Sequence, residues 1–455
     1  MKEWKKVKIG DFLTEREGRY KPNDKEISKY QRLDKIDFSG HIHISDKPTK
    51  TDMIIVFPGD LIISGINVAK GAISVYQGKE PVCATIHYSS YTFDDKKVDL
   101  DYFKYFVKSP AFIFALQQQV KGGIKTEIKP KHLLPLEISL PDLSTQKEIV
   151  KVLSKKIEKV ELIKSEIESQ KNYAKQLRQN ILQEAIEGKL TKEWRKENPV
   201  VKGNPDFDAE ALFEKIQEEK CHTDSELPLE TSLRIRNSKK KVFEPIAENE
   251  QPFEIPEGWK WVKLEHLAEV GTGATPLTSE KKYYENGTIP WITSSSTGND
   301  FVSKADVFIT EIALKETNCS LNPKGTLVVA MYGQGKTRGQ ITELCIEAAT
   351  NQACATIKIF EKDNVVLKKY IKFVFKKMYE EIRSLAQGGT QPNLNLGKIA
   401  NTIFPLPPLA EQKEIVSCVE KLLANVTELE KQITEREEMT KQLMQSIMKD
   451  AFREG

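Results

Sequence analysis

A long helical pattern occurs twice in this chain of 455 residues, and each copy follows a proline-led segment of the same kind. The first copy begins at Pro141-Asp-Leu-Ser-Thr-Gln-Lys-Glu-Ile-Val150, and the second begins at Pro407-Pro-Leu-Ala-Glu-Gln-Lys-Glu-Ile-Val416. Apolar residues recur at steps of three and four in both copies, which is the spacing of a coiled-coil seam. At 1.5 Å per residue, each predicted helix is about 60 Å long.

The apolar positions of the two copies match one for one, so each helix is predicted to bury its stripe against the other. A narrow apolar stripe on a long charged helix needs a partner to be stable in water. The predicted seam residues are Ile149, Leu153, Val160, Ile167, Leu177 and Ile181 in the first helix, and Ile415, Val419, Val426, Ile433, Leu443 and Ile447 in the second. Because burying an unpaired charge is costly, Leu177→Asp or Leu443→Asp is expected to destabilise the chain.

Composition restricts the class of protein. The chain is 39% hydrophobic and 30% charged, which is typical of a globular protein with long helices. It has no apolar run of about 18 residues and no charged-then-apolar leader, so we predict neither a membrane span nor an export signal. The six cysteines show no CxxC spacing, which favours reduced thiols in the cytoplasm and disfavours zinc. A net charge of +3 does not by itself indicate nucleic acid.

Two globular blocks and a linker account for the rest of the chain. The predicted boundaries are 1–140 for the first block, 141–190 for the first helix, 191–255 for a charged linker, 256–406 for the second block and 407–455 for the second helix. In the first block we predict a strand, a turn and a strand over 54–63 and a helix over 100–119. The linker contains one amphipathic helix near 208–220 and a basic run at 239–241, which is more typical of a solvated segment than of a binding patch.

The second block repeats short segments of the first. Trp4-Lys-Lys-Val-Lys-Ile9 corresponds to Trp259-Lys-Trp-Val-Lys-Leu264, and Cys83-Ala-Thr-Ile86 corresponds to Cys354-Ala-Thr-Ile357. The predicted fold class is therefore mixed α/β (α+β), with two related globular domains and two long antiparallel coiled-coil helices in a pseudo-two-fold internal repeat. Since the blocks otherwise differ in sequence, we expect them to recognise different things.

The segment Ala330-Met-Tyr-Gly-Gln-Gly-Lys-Thr337 satisfies a loose phosphate-binding P-loop pattern and follows an apolar strand. A P-loop also needs a helix that begins at Lys-Thr, so that its amide groups face the phosphates. Here Arg338-Gly-Gln-Ile-Thr342 predicts a turn and another strand instead. A P-loop ATPase with a coiled-coil insertion is therefore the disfavoured alternative, and tight nucleotide binding by the isolated chain would support it.

Glycine-rich loops in both blocks are the candidate DNA contacts. Glycine allows the backbone to approach a partner closely, arginine pairs with guanine, and asparagine or glutamine pairs with adenine in the major groove. Lysines beside these loops are better suited to phosphates. The candidates are Asn67, Lys70, Lys121, Lys125 and Thr126 in the first block, and Tyr332, Gln334, Lys336, Arg338, Gln340, Thr390, Gln391 and Asn393 in the second. An ordinary polar hairpin is the competing interpretation for each residue.

No catalytic motif is found in the sequence. An adenine amino-methyltransferase would show Asn-Pro-Pro-Tyr or a close variant, and the chain has none. Glu127-Ile-Lys129 matches the end of a nuclease motif, but this pattern arises easily by chance in so charged a chain. The six histidines are scattered, and His41 and His43 have no third metal ligand nearby. We therefore predict a chain with no enzymatic activity and no metal.

Together these features resemble the specificity subunit of type I restriction-modification systems. The resemblance is carried by the paired Pro-x-Leu-x-x-Gln-Lys-Glu-Ile-Val helices, Gly188-Lys-Leu-Thr-Lys-Glu-Trp194, Ile255-Pro-Glu-Gly-Trp-Lys-Trp261, Thr272-Gly-x-Thr-Pro276 and Asn351-Gln352. It implies a non-catalytic reader of double-stranded DNA with two target-recognition domains. The first block departs from the family pattern, because it begins without Pro-Glu-Gly-Trp and lacks Thr-Gly-x-Thr-Pro.

The resemblance also implies partners. In that family the helices dock two adenine-N6 methyltransferase subunits, and a translocating restriction subunit joins them. S-adenosylmethionine and ATP are then expected in these partner subunits, and no cofactor is expected in this chain. Antiparallel helices of equal length would place different readers at the two halves of a bipartite DNA site, about 34–36 Å apart. A coiled-coil scaffold that does not touch DNA is the remaining alternative.

Overall fold

The structure is a computed structural model that describes residues 4–38, 40–45, 47–67, 72–119, 129–225, 245–333, 337–361, 364–387 and 394–453. The chain forms two compact units. The first unit contains Met1–Gln170 and Gln432–Gly455, and the second contains Lys171–Lys431. Each unit therefore combines one globular block with parts of both long helices.

The first block is built from short strands in two four-stranded sheets and one strand pair. The strands are β1 (Lys5–Lys8), β2 (Leu13–Glu15), β3 (Arg32–Ile36), β4 (Ile42–Ser45), β5 (Met53–Val56), β6 (Leu61–Ser64), β7 (Ile73–Val75), β8 (Val82–Thr85), β9 (Tyr88–Phe93) and β10 (Glu137–Leu140). The sheet orders are β2-β9-β6-β7 and β4-β3-β8-β5, and β1 pairs with β10. The predicted strand, turn and strand over 54–63 are confirmed as β5 and β6.

The described residues of the first block also form three short helices, namely α1 (Leu100–Phe106), α2 (Pro110–Gln119) and α3 (Pro130–Leu133). The prediction of one helix over 100–119 is wrong, since the helix is interrupted before Pro110. Proline lacks a backbone N–H and disfavours helical conformation in the residue before it. A new helix can nevertheless begin at Pro110, because the first position of a helix needs no N–H donor.

The second block repeats this arrangement of strands. Its strands are β11 (Lys260–Lys263), β12 (Ala268–Thr272), β13 (Ile289–Ile292), β14 (Phe301–Val302), β15 (Val307–Ile309), β16 (Leu321–Asn322), β17 (Leu327–Ala330), β18 (Ile341–Leu344), β19 (Ala348–Thr350), β20 (Cys354–Ile359) and β21 (Ile403–Leu406). The sheet orders are β12-β20-β17-β18-β14 and β15-β13-β19-β16, and β11 pairs with β21. Apart from the added edge strand β14, these orders match those of the first block, so the predicted repeat extends to sheet topology. The predicted correspondence of Cys83–Ile86 with Cys354–Ile357 is wrong, because Cys83 lies in β8, the counterpart of β19, whereas Cys354 begins β20, the counterpart of β9.

The remaining helices lie in and around the second block. Those before it are α4 (Leu143–Ile186), α5 (Lys192–Glu197) and α6 (Ala209–Ser225). Those within and after it are α7 (Leu264–Leu267), α8 (Glu311–Glu316), α9 (Val365–Gln387), α10 (Leu396–Ala400) and α11 (Leu409–Ala451). The two long helices predicted from the repeat are confirmed as α4 and α11. The N-terminal cap of α4 is Asp142, whose Oδ1 accepts the Thr145 N–H at 2.8 Å.

Helices α4 and α11 run antiparallel. In the first unit, Phe452 near the end of α11 packs on Tyr102 and Phe106, with ring centroids 5.3 and 5.6 Å apart. Leu153, near the start of α4, belongs to the same buried cluster. In the second unit, Arg178 near the end of α4 forms an ion pair of 2.8 Å with Glu430 of α11. The start of each helix therefore lies beside the end of the other.

One line of buried side chains at seven-residue spacing forms the seam of each helix. On α4 this line is Leu153, Val160, Ile167, Ala174 and Ile181, and on α11 it is Val419, Val426, Ile433 and Thr440. Several positions four residues after this line are half-buried, among them Ile157 and Arg178 on α4 and Leu423 and Glu430 on α11. Strict seven-residue spacing of buried positions is the mark of supercoiled helices, so the predicted coiled coil is confirmed.

The assignment of Leu177 and Leu443 to the seam is wrong. These side chains are 43% and 45% exposed, because positions three residues after the buried line face outward in the middle of both helices. Half-buried Lys171 and Arg178 take the inner flank of α4 instead. Long basic side chains fit there because the aliphatic stem covers apolar surface while the charged end reaches water or an acidic partner. The predicted destabilisation by aspartate at 177 or 443 therefore loses its basis.

A buried carboxylate joins three segments of the second unit. Glu411, in the first turn of α11, is 2% exposed and accepts hydrogen bonds from Thr191 Oγ1 at 2.6 Å and Trp259 Nε1 at 2.7 Å. It also forms an ion pair with Arg195, whose other terminal nitrogen donates to the Gly188 carbonyl at 2.6 Å. The exit of α4, the start of the second block and the start of α11 therefore meet at one side chain.

Part of the predicted linker packs on the second block. Leu212 and Ile216 of α6 are fully buried, and Gln217 donates to the His266 carbonyl at 2.7 Å. Burial and nearby lysines, Lys220 first among them, lower the pKa of His266 to about 4, so this histidine is neutral at physiological pH. The basic run at 239–241 lies outside the described residues.

Among the described residues, no helix is both long enough and apolar enough to cross a lipid bilayer. The same part of the chain holds no group of three or more His, Cys, Asp or Glu side chains placed to bind a metal ion.

Candidate nucleic-acid interface

In the second block, the glycine-rich segment lies at one end of the larger sheet. It connects β17 to β18, and the Gly339 N–H donates to the Ala330 carbonyl at 2.8 Å, which closes the segment into a hairpin. The Met331 N–H donates to the Ala353 carbonyl at 2.8 Å. The hairpin therefore emerges directly beside the loop that precedes β20.

Two family-like motifs meet at this same end of the sheet. Gly273 packs so closely on β19 that an added Cβ would lie 1.8 Å from the Thr350 carbonyl oxygen. The Ala274 N–H donates to that oxygen at 3.0 Å, and the Thr275 hydroxyl donates to Gln352 Oε1. The exposed amide of Gln352 is thus held in place by a side chain from the other motif. Thr272–Pro276 and Asn351–Gln352 form one polar surface next to the hairpin.

The segment after Thr337 does not form a P-loop. Residues 338 and 339 form a turn, and β18 begins at Ile341, so no helix begins after the Lys-Thr pair. The predicted turn and strand are confirmed. Without a helix N-terminus facing the loop, the segment lacks the amide dipoles that hold a nucleotide's phosphates. Gln334 and Lys336 lie outside the described residues.

The hairpin brings together three predicted contact residues. Tyr332 is 48% exposed, while Arg338 and Gln340 are half-buried. Gln340 Oε1 accepts a hydrogen bond from Thr297 Oγ1 at 3.3 Å, so this side chain is oriented by a neighbouring loop. An exposed aromatic ring beside polar and cationic side chains is suited to contact bases and backbone of nucleic acid.

The first block has a polar cleft at the corresponding end of its sheet. Its walls are the segment after β2, the loop before β9 and the start of α3. The cationic side chains that line it are Arg16, Arg19 and Lys129, together with His87, Ser89 and the acidic residues Glu15 and Glu17. None of these was predicted from the sequence, where Glu15-Arg-Glu-Gly-Arg19 reads as an ordinary charged turn.

Each unit has exposed apolar side chains on its own part of the helix pair. In the second unit these are Tyr173, Leu177 and Leu429, which are 67%, 43% and 46% exposed. In the first unit they are Ile163, Met439 and Leu443, which are 37%, 66% and 45% exposed. Leu177 and Leu429 immediately precede Arg178 and Glu430, the two residues that pair across the helices at 2.8 Å. We call these two sets the apolar rows.

The sequence profile of one family matches both blocks. This family is described as the type I restriction modification DNA specificity domain, and the match covers residues 1–170 and 256–438, more than half of the chain. The chain belongs to this family. The resemblance stated from its motifs is thereby confirmed.

Curated relatives carry the same description. The specificity subunit of the type I restriction enzyme MjaIX from Methanocaldococcus jannaschii is 32% identical over 171 residues, which are 36% of this chain and 37% of that protein. The EcoDI specificity subunit from Escherichia coli is 25% identical over 336 residues, which are 73% of this chain and 65% of that protein. The chain thus spans less than two thirds of the length of each of these two relatives.

Solved structures agree in fold. A chain from work on complex assembly and conformational transition of the type I R-M system superposes with a TM-score of 0.61 at 15% identity, and the match covers 99% of this chain and 98% of that one. The HsdS subunit from Thermoanaerobacter tengcongensis superposes with a TM-score of 0.50 at 16% identity, covering 99% and 97%. At such low identity these likenesses establish the fold class alone, with two mixed α/β blocks and long helices.

Within this specificity family member, the motifs that carried the resemblance fall into two groups. Thr272–Pro276 and Asn351–Gln352 lie at the candidate interface, whereas Gly188–Trp194 and Ile255–Trp261 meet around buried Glu411 and serve the fold. Asn67 is half-buried and ends a described stretch. The other predicted contacts outside the hairpin lie outside the described residues, namely Lys70, Lys121, Lys125, Thr126, Thr390, Gln391 and Asn393.

Proposed function

We propose that this chain is the DNA-specificity subunit of a type I restriction-modification complex in the cytoplasm. Each block reads one half of a bipartite, asymmetric site in double-stranded DNA, and the long helices set the spacer between the halves. The observation that carries the proposal is the family match to both blocks. The sheets of the two blocks share a strand order but have different side chains, which supports recognition of two different half-sites.

The proposed DNA contacts in the second block are the hairpin residues Tyr332, Arg338 and Gln340, with Gln334 and Lys336 of the same segment. The polar surface of Thr275 and Gln352 adjoins the start of the hairpin, where the Met331 N–H donates to the Ala353 carbonyl. In the first block the proposed contacts are Asn67, Lys70 and the lysines near 121–126. Arginine and glutamine supply base-edge hydrogen bonds, while lysines supply phosphate contacts that lose strength as salt rises.

The proposed protein partners are two adenine-N6 methyltransferase subunits and the restriction subunits. The apolar rows support this, because each unit presents an exposed set of aliphatic and aromatic side chains on the helix pair. Two matching rows suit two copies of one partner. The chain itself is proposed to be non-catalytic, with S-adenosylmethionine and ATP bound by the partners.

Replacing Leu177 with aspartate is expected to weaken binding of the methyltransferase subunit at least tenfold, about 1.4 kcal/mol or more. The melting temperature should stay within about 2 °C of the parent, since the side chain is 43% exposed and a charge there stays hydrated. Calorimetric titration with the methyltransferase subunit measures the affinity. Ser165→Asp, exposed elsewhere on α4, is the matched control and should bind like the parent. Normal affinity of the Leu177 variant would exclude the apolar row as the docking surface.

The function is tested by methylation of a duplex library randomised over both halves of the site. The full chain assembled with its methyltransferase subunit should methylate one two-part sequence. A complex that assembles but shows no sequence preference would instead support a coiled-coil scaffold. Saturable ATP binding by the isolated chain would support the P-loop alternative.

The division between the blocks is tested with Arg338→Ala in the same library. If Arg338 reads a base, it contributes about 1–3 kcal/mol of discrimination at one base pair of the site. The variant should then lose its preference at that base pair, and the other half of the site should be unaffected. If Arg338 instead contacts a phosphate, its loss should weaken binding to all sequences alike. The slope of the logarithm of the binding constant against the logarithm of salt concentration should then fall in magnitude by about one. Relaxation in both halves would show that the blocks do not read independently.

A further inference from the structure

Arg16 in the first block is held by a buried carboxylate. Its Nε donates to Asp60 Oδ2 at 2.6 Å, and Asp60 is 2% exposed. The same oxygen accepts the Ser90 hydroxyl at 2.8 Å and the Phe57 N–H at 3.0 Å. Three donors from three segments therefore fix the position of the Asp60 carboxylate. Asp60 in turn holds the Nε side of the Arg16 guanidinium.

The outer edge of the same guanidinium faces the cleft. Arg16 lines the cleft wall with its side chain 35% exposed, and its Cζ lies 4.6 Å from the centre of the Phe57 ring. Within the described part of the chain, neither terminal nitrogen of Arg16 has a hydrogen-bond partner. Arg16 thus presents its paired terminal N–H groups from a rigid support formed by a carboxylate and an aromatic ring.

The second block builds the same sheet without this ion pair. Leu61 pairs with Tyr91 in β6 and β9, just as Leu327 pairs with Ile357 in β17 and β20. Edge strands β2 and β12 pair with the same central strands through Glu15↔Tyr91 and Val270↔Ile357. By this register, the counterparts of Arg16, Asp60 and Ser90 are Gly271, Thr326 and Thr356.

The neutral counterparts show that the fold does not need the charges. In the second block, the Thr326 hydroxyl donates to the Pro323 carbonyl at 2.7 Å and closes the turn that Asp60 closes in the first block. Burying a carboxylate and pairing it with an arginine brings little net stability over neutral residues. An arginine fixed in this way, in one block only, therefore indicates recognition rather than folding.

We infer that Arg16 is a specificity-determining residue of the first block, that it reads a guanine through its two terminal nitrogens, and that Asp60 is its positioning residue. The inference rests on the proposed DNA-reading function. The terminal edge of a guanidinium matches guanine O6 and N7 in the major groove, and it is the commonest base-specific contact of proteins.

Charge favours a base over a phosphate as the ligand of Arg16. Asp60 neutralises the guanidinium, and Glu15 and Glu17 line the same cleft. Attraction to a phosphate depends on net positive charge, which Arg16 and its acidic neighbours do not supply. Directional donation to a neutral base edge does not depend on it. Arg19 and Lys129, on the same cleft, are better placed to supply phosphate contacts.

The test uses the full chain assembled with its methyltransferase subunit and a duplex library randomised in both halves. Arg16→Ala and Arg16→Lys should each lose preference for guanine at one position of one half by about 5- to 150-fold, with the other half unchanged. Lysine keeps the charge and loses the paired donors, so its failure to rescue distinguishes base reading from phosphate contact. Asp60→Asn should relax the same position to a smaller extent.

The double variant Arg16→Gly with Asp60→Thr is the folding control, because it copies the residues of the second block. It should melt like the parent and show the same one-position relaxation. Unfolding of this variant would assign the pair to the fold and overturn the inference. Uniform weakening of all sequences with a lower salt slope, or rescue by Arg16→Lys, would make Arg16 a phosphate contact and overturn base reading.

Failure of the proposed function gives a different result. If the parent complex selects no sequence, the DNA-reading function and the role of Arg16 fall together. If the parent selects a site and every Arg16 variant keeps the guanine preference of both halves, only the inference about Arg16 is overturned.

Discussion

Glu411→Ala is expected to lower the free energy of unfolding of the second unit by about 3–5 kcal/mol, the cost of removing one partner from a buried ion pair. The substitution leaves the Arg195 guanidinium, the Trp259 indole N–H and the Thr191 hydroxyl without their acceptor. Thr191 is 1% exposed and Trp259 is 8% exposed, so water cannot fully replace the carboxylate. Urea unfolding followed by circular dichroism measures the loss.

The internal repeat supplies a matched control for this variant. Thr145 is the counterpart of Glu411 at the start of α4, and the contact it makes with Asp142 uses its backbone N–H. Thr145→Ala should therefore change stability by less than about 0.5 kcal/mol. Hydrogen exchange of the amides in 188–195 should rise in the Glu411 variant and remain unchanged in the control. Equal protection in the two variants would show that Glu411 does not join these segments.

Gly273→Ala is expected to lower the free energy of unfolding by about 3 kcal/mol, which is at the upper end of the effects of steric overpacking. The new Cβ would lie 1.8 Å from the Thr350 carbonyl oxygen and 2.3 Å from its carbon. These are backbone atoms of a central strand, so no side-chain rotation relieves the contact. The Ala274 to Thr350 hydrogen bond and the neighbouring Thr275–Gln352 contact should break. Sequence preference in the half that the second block is proposed to read should then be lost, while the other half is retained.

Gly298→Ala is the control for this second variant, since its added Cβ would come no closer than 3.8 Å to Gln340. It should melt like the parent. Thermal melting and the methylation library together separate the outcomes. A Gly273 variant that melts like the parent and keeps both halves would mean that the motif glycine has no packing role.

The long helices could be predicted from sequence because a stripe of apolar residues repeated over many turns has few other solutions. The residues that flank the buried seam could not be predicted in this way. Leu177 and Arg178 both lie beside the buried line, and hydrophobicity favours the leucine. In the structure the half-buried flanking position belongs to Arg178, which pairs with Glu430, a residue distant in sequence. Such a choice depends on the partner helix, which the sequence of one helix does not contain.

The candidate interface was predictable only where a local pattern marked it. Glycines identified the hairpin that holds Tyr332 and Arg338, and the absence of a helix after Thr337 followed from the residues themselves. Arg16 has no such mark. Its partner Asp60 lies 44 residues away, and the two meet only because β2 and β6 both pair with β9. One signal for the Arg16 site was visible in the sequence. At the matching turns Gly59-Asp60 and Gly325-Thr326, the first block has an aspartate where the second has a threonine.

The strand pairs β1–β10 and β11–β21 have a consequence for how such chains diversify. Lys5 lies opposite Leu140 at the two ends of the first block, and Lys260 lies opposite Leu406 at the two ends of the second. The chain thus enters and leaves each block at neighbouring points. A complete block between such points behaves as a removable cassette, whose exchange leaves the path of α4 and α11 intact. Recombination in the paired strands would then create a new binding preference in one step.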